Sequence, residues 1–366
     1  MSIIAKLGKF FDKLYSLTGN RRLHKARQDF IAHFVLGLLQ CRDVQFCEVA
    51  SQMDTKAQNA SNLRRIQMFF AEYKLDYRQV AVLLILMLPE SRHWHLSIDR
   101  TNWQFGDVDI NYLTVSASCR GVGIPIWFEL LEDKKRGNSS EKDRIALLRK
   151  VIKLAGQREL FLYADREFLG KNWVAFLLKN RVRFFIRLRK STRLLWRGQD
   201  SRADEWLSAK GYLAMDNVRV QEAWLSVEMK RLDRAKKGEE DCLIVLTNTQ
   251  AKGALNAYRE RWSIEVFFQS IKGRGFHIER THLKDYGRLR KLMAMCAISF
   301  AVALRLGIIF NDYVKEIKVK KHGYKTNSFF RHGLEKIREA IRLDQQFDKI
   351  IELFWLKIKD NEHKFT

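Results

Sequence analysis

The sequence predicts an α/β protein: a mixed-sheet core with a β-rich insertion, flanked by helical regions at both ends. Three observations carry this. Strand-like alternation starts abruptly after Pro89, one of only two prolines in the chain. From there strands and helices follow in the order β-β-β-α-β-α-β, the pattern of a layered α/β core. Before Pro89 and after Ala254 the apolar residues recur at helical spacing.

The segments follow in order. Residues 1–90 form a helical region. Phe30, Ile31, Phe34, Val35 and Leu38 are spaced by three and four over 22–40. Helices over 44–53 and 58–70 flank a polar break at 54–56. The second is expected to expose Asn59, Asn62, Arg64, Arg65 and Gln67, an order that resembles a helix-turn-helix and predicts contact with DNA. Residues 91–190 form the first part of the core, with strands at 93–99, 112–119, 123–131, 160–164 and 182–188 and helices at 142–155 and 171–180. Residues 191–246 read as the β-rich insertion, extended over 212–233 and again from 241. Residues 247–310 return to the core and carry a helix with Glu265. Residues 311–366 are helical and are expected to pair two subunits.

Composition narrows the partner. The chain has 366 residues, 67 Lys and Arg against 42 Asp and Glu, and a net charge of +25. Hydrophobic residues make up 46%, enough for a core and against wholesale disorder. Such a charge on a foldable chain predicts a polyanionic partner, nucleic acid or an anionic membrane. The first fourteen residues mix apolar and basic side chains and do not read as a secretory signal. The apolar run 292–310 approaches the roughly 20 residues of a membrane span. It contains Arg305 and follows Arg288, Arg290 and Lys291, so a buried helix is expected and nucleic acid is the favoured partner. The five cysteines contain no C-x-x-C pair, which predicts neither a disulfide framework nor a zinc ribbon and fits a reducing compartment.

Three carboxylates stand out. Asp99 lies at the C-terminal end of the first core strand, and Asp165 ends the fourth strand directly after the apolar run 160–164. Strand ends are where α/β sheets place chemistry, and neighbouring strands would bring these two acids together. The third is Glu265. At helical periodicity Tyr258, Arg261, Glu265 and Lys272 fall on a stripe about 60° wide, opposite Ile264, Phe267, Phe268 and Ile271. One face would pack on the core, and the other would present a tyrosine, an arginine, a carboxylate and a lysine. Among competing acids, Asp107 and Asp109 read as a turn, Glu132 and Asp133 as a charged loop, and Glu167 as a salt-bridging neighbour of Arg166 or a group supporting the ligands from behind.

The spacing Tyr258-x2-Arg261-x3-Glu265-x6-Lys272 resembles the YREK signature of bacterial insertion-sequence transposases of the DDE class. The surroundings of Asp99 (Ser-Ile-Asp-Arg-Thr-Asn-Trp) and Asp165 (Ala-Asp-Arg-Glu-Phe) resemble that family too, and the likeness runs over about 96–283. It implies an RNase H-like core in which Asp99, Asp165 and Glu265 are catalytic and hold two Mg²⁺ ions, with Mn²⁺ as a substitute. It implies binding to the double-stranded ends of a mobile element, strand cleavage and transfer to target DNA through a hairpin, and a homodimer assembled on DNA. Tyr258, Arg261 and Lys272 would hold terminal phosphates. An aromatic platform for a flipped base is expected at Trp224, with Trp196 as a second candidate. Residues 180–199 carry seven cations and no acid, so Arg183, Arg187 and Arg189 are expected to contact phosphate. The setting would be the bacterial cytoplasm, on DNA and without a membrane. A general nuclease or resolvase on the same fold, or a non-catalytic DNA-binding descendant, are the alternatives.

Overall fold

The structure is a computed structural model. It describes residues 25–53, 55–131, 137–207, 211–232, 241–321, 323 and 325–343. The first fourteen residues, the charged loop with Glu132 and Asp133, and residues 344–366 of the expected pairing region lie outside the described residues.

The chain divides into two units. One comprises 1–90, 103–110 and 267–366, and the other 91–102 and 111–266. The first is helical. Its elements are α1 (Lys25–Cys41), α2 (Phe46–Ser51), α3 (Asn59–Glu72) and α4 (Tyr77–Leu86), then α10 (Tyr286–Tyr313) and α11 (Phe329–Leu343). α10 is long and apolar enough to cross a membrane, but 94% of its apolar window is buried inside the protein. It packs against α11, α1, α4 and α3. The Lys291 ammonium in it donates to the Phe70 carbonyl at 2.6 Å. α2 and α3 follow the expected helix-turn-helix order. Asn59, Arg64, Arg65 and Gln67 are exposed. Asn62 is not: it is 1% exposed and accepts a hydrogen bond from the Thr55 hydroxyl at 2.8 Å, which ties the turn to the helix.

The second unit is built on a sheet, although residues 103–110, the end of its first strand and the start of its second, count with the first unit. Its strands are β1 (His93–Phe105), β2 (Val108–Cys119), β3 (Val122–Leu130), β4 (Glu159–Ala164), β5 (Arg183–Arg187), β6 (Arg193–Trp196), β7 (Gln199–Arg202), β8 (Tyr212–Val220), β9 (Ala223–Arg231) and β10 (Cys242–Thr247). Their order is β3-β2-β1-β4-β5-β10-β9-β8-β6-β7. β1, β4 and β5 run parallel, β2 and β3 antiparallel, and β10 antiparallel to β5. This is the expected mixed α/β core of RNase H-like type; the segment 191–246, read as a β-rich insertion, holds β6 to β9 and all of β10 but Thr247.

The crossovers are α5 (Glu141–Ala155) and α6 (Lys171–Lys179). α5 starts at Ser140, whose hydroxyl accepts from the Asp143 N–H while the Asp143 carboxylate accepts from the Ser140 N–H. α6 is anchored through Trp173, whose N–H donates to Glu141 Oε1 at 2.9 Å. A four-residue helix in the insertion is α7 (Ala203–Trp206), and α8 (Ala254–Ala257) follows β10. α8 leads through a 3₁₀ turn (Tyr258–Arg261) into α9 (Trp262–Ile271).

Candidate active site

Backbone register sets the two aspartates. β1 pairs with β4 through Ile98↔Ala164, the last pair of that ladder, and Asp99 and Asp165 come next. β1 does not end at Asp99 as the sequence suggested. It continues to Phe105, so Asp99 stands where β1 leaves β4. The two acids have the same local geometry, since each accepts the N–H of the next residue on its own Oδ1. Arg100 N donates to Asp99 and Arg166 N to Asp165, both at 2.7 Å.

Arg261 joins Glu265 to Asp99. Its Nη1 lies 3.6 Å from Asp99 Oδ2, and its Nη2 donates to Glu265 Oε1 at 2.5 Å. All three side chains are three-quarters buried or more. Burial pushes the Asp99 carboxyl up to about 7; the negative charges of Glu167 and Asp165 add to this, while the Arg100 N–H and Arg261 oppose it.

The stripe on Glu265's helix is built differently from the sequence expectation. Tyr258 and Arg261 belong to the 3₁₀ turn, and α9 starts only at Trp262. A 3₁₀ turn has three residues rather than 3.6, so the wheel from Tyr258 does not hold. Only the Arg261–Glu265 pair survives as an i,i+4 contact. Tyr258 is 8% exposed and packs with Tyr163, Phe185, Val245 and Ala254. Burial pushes its phenol up; Asp165 and Asp99 also raise it, while Arg261 and Arg187 lower it. It is therefore a neutral hydroxyl near both aspartates. Lys272 follows the end of α9 and belongs to the helical unit. Its ammonium pairs with Glu279 at 2.8 Å and lies 5.8 Å from the Trp103 ring centre.

Glu167 pairs with Arg100 beside the two aspartates. Arg100 Nε and Nη2 donate to its two oxygens at 2.7 Å each. The same guanidinium donates to Gly137 O and Asn138 Oδ1, both at 2.9 Å. It therefore clamps the segment before α5 to the segments carrying Asp99 and Asp165.

The acid-free stretch is partly neutralised by acids from elsewhere in the chain. Arg183 pairs with Glu159 at 3.3 Å, Lys190 with Asp241 at 3.9 Å and Arg193 with Asp200 at 3.1 Å. Arg189 is exposed and Arg187 half-buried. Trp224 is 64% exposed, just after the β8–β9 turn at Gln221 and Glu222. Both turn residues take left-handed φ (47° and 70°), as a two-residue hairpin requires. Trp196 packs edge-on to Trp206 and donates to Asp216 O at 3.1 Å. Sequence reasoning missed Trp262. It is 55% exposed at the start of α9, with the Arg261 guanidinium 6.0 Å from its ring centre. The signal was its place in the run Tyr-Arg-Glu-Arg-Trp, beside the arginine.

The donors here are carboxylate oxygens, which suit a hard divalent cation, and a guanidinium already lies between two of them. Among the described residues, no group of three or more His, Cys, Asp or Glu side chains closes on a single metal position.

Two acids where the parallel β1–β4 ladder ends, the first joined to a third through one arginine, define a polar site lined by carboxylates. Residues 90–301 match the family described as "Transposase DDE domain", and the chain belongs to that family. Its members generally use divalent metal ions. No curated protein matches the chain in sequence. Among solved structures it is similar to the piggyBac transposase synaptic complex with hairpin DNA. The identity is 12%, over 99% of this chain and 82% of that chain, with a TM-score of 0.44.

Proposed function

We propose that the protein is a transposase of the YREK group. It would bind the ends of a bacterial insertion sequence, cut them and join them to target DNA through a hairpin intermediate, working as a homodimer on DNA in the bacterial cytoplasm. The observation that carries this reading is the Asp99–Arg261–Glu265 bridge beside Asp165, in a chain of the DDE family.

Asp99, Asp165 and Glu265 would hold two Mg²⁺ ions, with Mn²⁺ as a substitute. Such ions activate the attacking oxygen and stabilise the leaving one in an in-line displacement at phosphorus. The protein's own groups have other tasks. Arg261, bound to two carboxylates, can turn one N–H face to a phosphate when metal takes its place. Tyr258 is a neutral hydroxyl and donates without bringing charge. Lys272 is assigned to terminal phosphate, Arg183, Arg187 and Arg189 to the flanking backbone, and Trp224 to stacking on a displaced base.

The test is end cleavage with Mg²⁺ by the Asp99→Ala, Asp165→Ala and Glu265→Ala proteins. Each should bind element ends and fail to cut them. Cleavage retained in any one would remove that residue from the site. End binding should weaken steeply as salt rises, because released counterions drive phosphate contact.

A further inference from the structure

The turn in front of Glu265 is held to the sheet by contacts that leave the site acids untouched. Ser97 lies on β1 two residues before Asp99, so alternation puts both on one face, roughly 7 Å apart. Its side chain is fully buried, and its hydroxyl donates to the Glu260 carbonyl at 3.2 Å. The Ser97 and Ser263 hydroxyls lie 3.3 Å apart. The one Ser97 hydrogen goes to the carbonyl, so Ser263 donates in this second contact. Ser263 lies two residues before Glu265 and is 2% exposed. One hydroxyl on β1 thus meets both the 3₁₀ turn and the start of α9.

β2 and β3 seat the same turn. The Ser118 hydroxyl on β2 donates to the Glu260 carboxylate at 2.8 Å. On β3, a methyl at Gly123 would lie 3.1 Å from the Ser263 carbonyl oxygen and 2.5 Å from the Ser116 hydroxyl oxygen. The missing side chain lets the first turn of α9 come this close to the sheet. Arg261 is a further tie between β1 and this turn, through Asp99 and Glu265. The two ties differ in kind. The guanidinium bridge occupies carboxylate oxygens, and acids that bind a divalent cation through those oxygens give it up. The serine link is neutral, uses no oxygen of the site acids and persists whatever they bind. A hydrogen bond is also directional, so it fixes the place of a helix more closely than an apolar contact does. That matters here, because a displacement of about 1 Å near reacting groups can cost on the order of 100-fold in rate.

We propose that Ser97 and Ser263 are positioning residues for the third acid, and that their link sets the place of Glu265 relative to Asp99. Neither serine touches the reacting atoms. Both act through the helix start that carries Glu265. The inference rests on the reading of Asp99 and Glu265 as metal ligands in a DNA-cutting enzyme.

The experiment uses the full-length protein and reads Mn²⁺ binding by calorimetry beside Mg²⁺-dependent end cleavage. Ser97→Ala should weaken Mn²⁺ binding about fivefold and Ser263→Ala about threefold, the worth of one or two hydrogen bonds. The Mg²⁺ concentration for half-maximal cleavage should rise by the same factors, with the rate at saturating Mg²⁺ changed less. The two changes remove one link, so the double variant should bind Mn²⁺ about as well as Ser97→Ala alone. Val151→Ala, a buried truncation on α5, controls for lost stability. It should lower the melting temperature and change Mn²⁺ binding less than about twofold. Both serine variants within twofold of the wild type would overturn the proposal. So would a loss of Mn²⁺ binding in Val151→Ala equal to that in Ser97→Ala, or a wild type that binds no Mn²⁺. If Ser97→Ala fails to fold, Ser263→Ala, which places a good helix former in α9, still decides. End cleavage by the wild type with unshifted Mn²⁺ binding in the serine variants refutes the link alone. Shifted binding in those variants without end cleavage by the wild type refutes the transposase reading and leaves the link.

Discussion

Arg261 Nη1 stands 3.6 Å from Asp99 Oδ2 while its other terminal nitrogen holds Glu265, so one guanidinium serves two candidate metal ligands. The cation offsets the repulsion between acids that would otherwise face each other part-buried. Removing one partner of such a pair typically costs about 3–5 kcal/mol, less where solvent reaches it. Arg261→Ala should therefore be less stable than the wild type in EDTA, by roughly 2 kcal/mol. Millimolar Mg²⁺ should raise the melting temperature of the variant more than that of the wild type, because metal then replaces the missing cation without displacing an arginine. Melting curves with and without Mg²⁺ measure this. Equal gains in the two proteins would show that Arg261 and the metal do not compete.

The Arg100–Glu167 pair predicts a structural rather than a chemical defect. Both side chains are less than one-fifth exposed, and the contact is two-pronged. Arg100→Lys keeps the charge but loses the fork that also reaches Gly137 and Asn138. It should lower stability by about 2 kcal/mol. Glu167→Gln, which keeps the shape, should lose about half as much. Urea denaturation resolves the difference. A Lys variant as stable as the wild type would mean that the clamp contributes nothing.

Much of this fold was legible because each signal was local. The alternation of Trp94, Leu96 and Ile98 and the apolar run 160–164 gave two strands, and their ends gave Asp99 and Asp165. The Arg261–Glu265 pair lies within one helical turn and could be read off its spacing. Contacts between distant segments could not. The Arg100–Glu167 pair joins residues 67 apart, so no local pattern shows it. The wheel through Tyr258 assumed a continuous α-helix, and a change of helix type is invisible to a periodicity argument. Asn62 looked exposed because polar residues usually are, and only the Thr55 bond explains its burial.

Within the helical unit, Gly307 of α10 faces Gly333 of α11 backbone to backbone. A methyl at Gly307 would meet the Phe329 carbonyl, and one at Gly333 would meet the Ala303 carbonyl, in both cases far inside van der Waals contact. Backbone atoms cannot rotate aside as a side chain would, so the helices must separate. Gly307→Ala and Gly333→Ala should each destabilise at the upper end of the usual overpacking cost, about 3 kcal/mol. Either change forces the same separation, so the double variant should lose clearly less than the sum. Strict additivity in denaturant titrations would count against a shared close crossing.

The cysteines give the pH-dependent prediction. Cys47 is exposed, Cys41 is part-buried, and Cys119, Cys242 and Cys296 are buried. Burial, helped by the charges of Asp43 and Glu48, pushes the Cys41 thiol up to about 11, although its hydrogen bonding at Asp43 opposes this. Its Sγ donates to the Asp43 carbonyl at 3.2 Å. Only the thiolate reacts with iodoacetamide, so at pH 9 about 1% of Cys41 is reactive in the native protein. Native protein at pH 8 should be alkylated first at Cys47. The Cys41 rate should then rise about tenfold per pH unit and level off only near pH 11. The same shift carries a stability sign. The folded thiol has the higher pKa, so its contribution is complete below about pH 9 and is lost as pH rises through about 11. Cys41→Ser has no such group, so the stability gap between wild type and variant should narrow by up to about 2 kcal/mol over that window. Site-resolved mass spectrometry follows the alkylation. A Cys41 rate that levels off near pH 9 would place the thiol in an ordinary aqueous setting and contradict its packing at the end of α1.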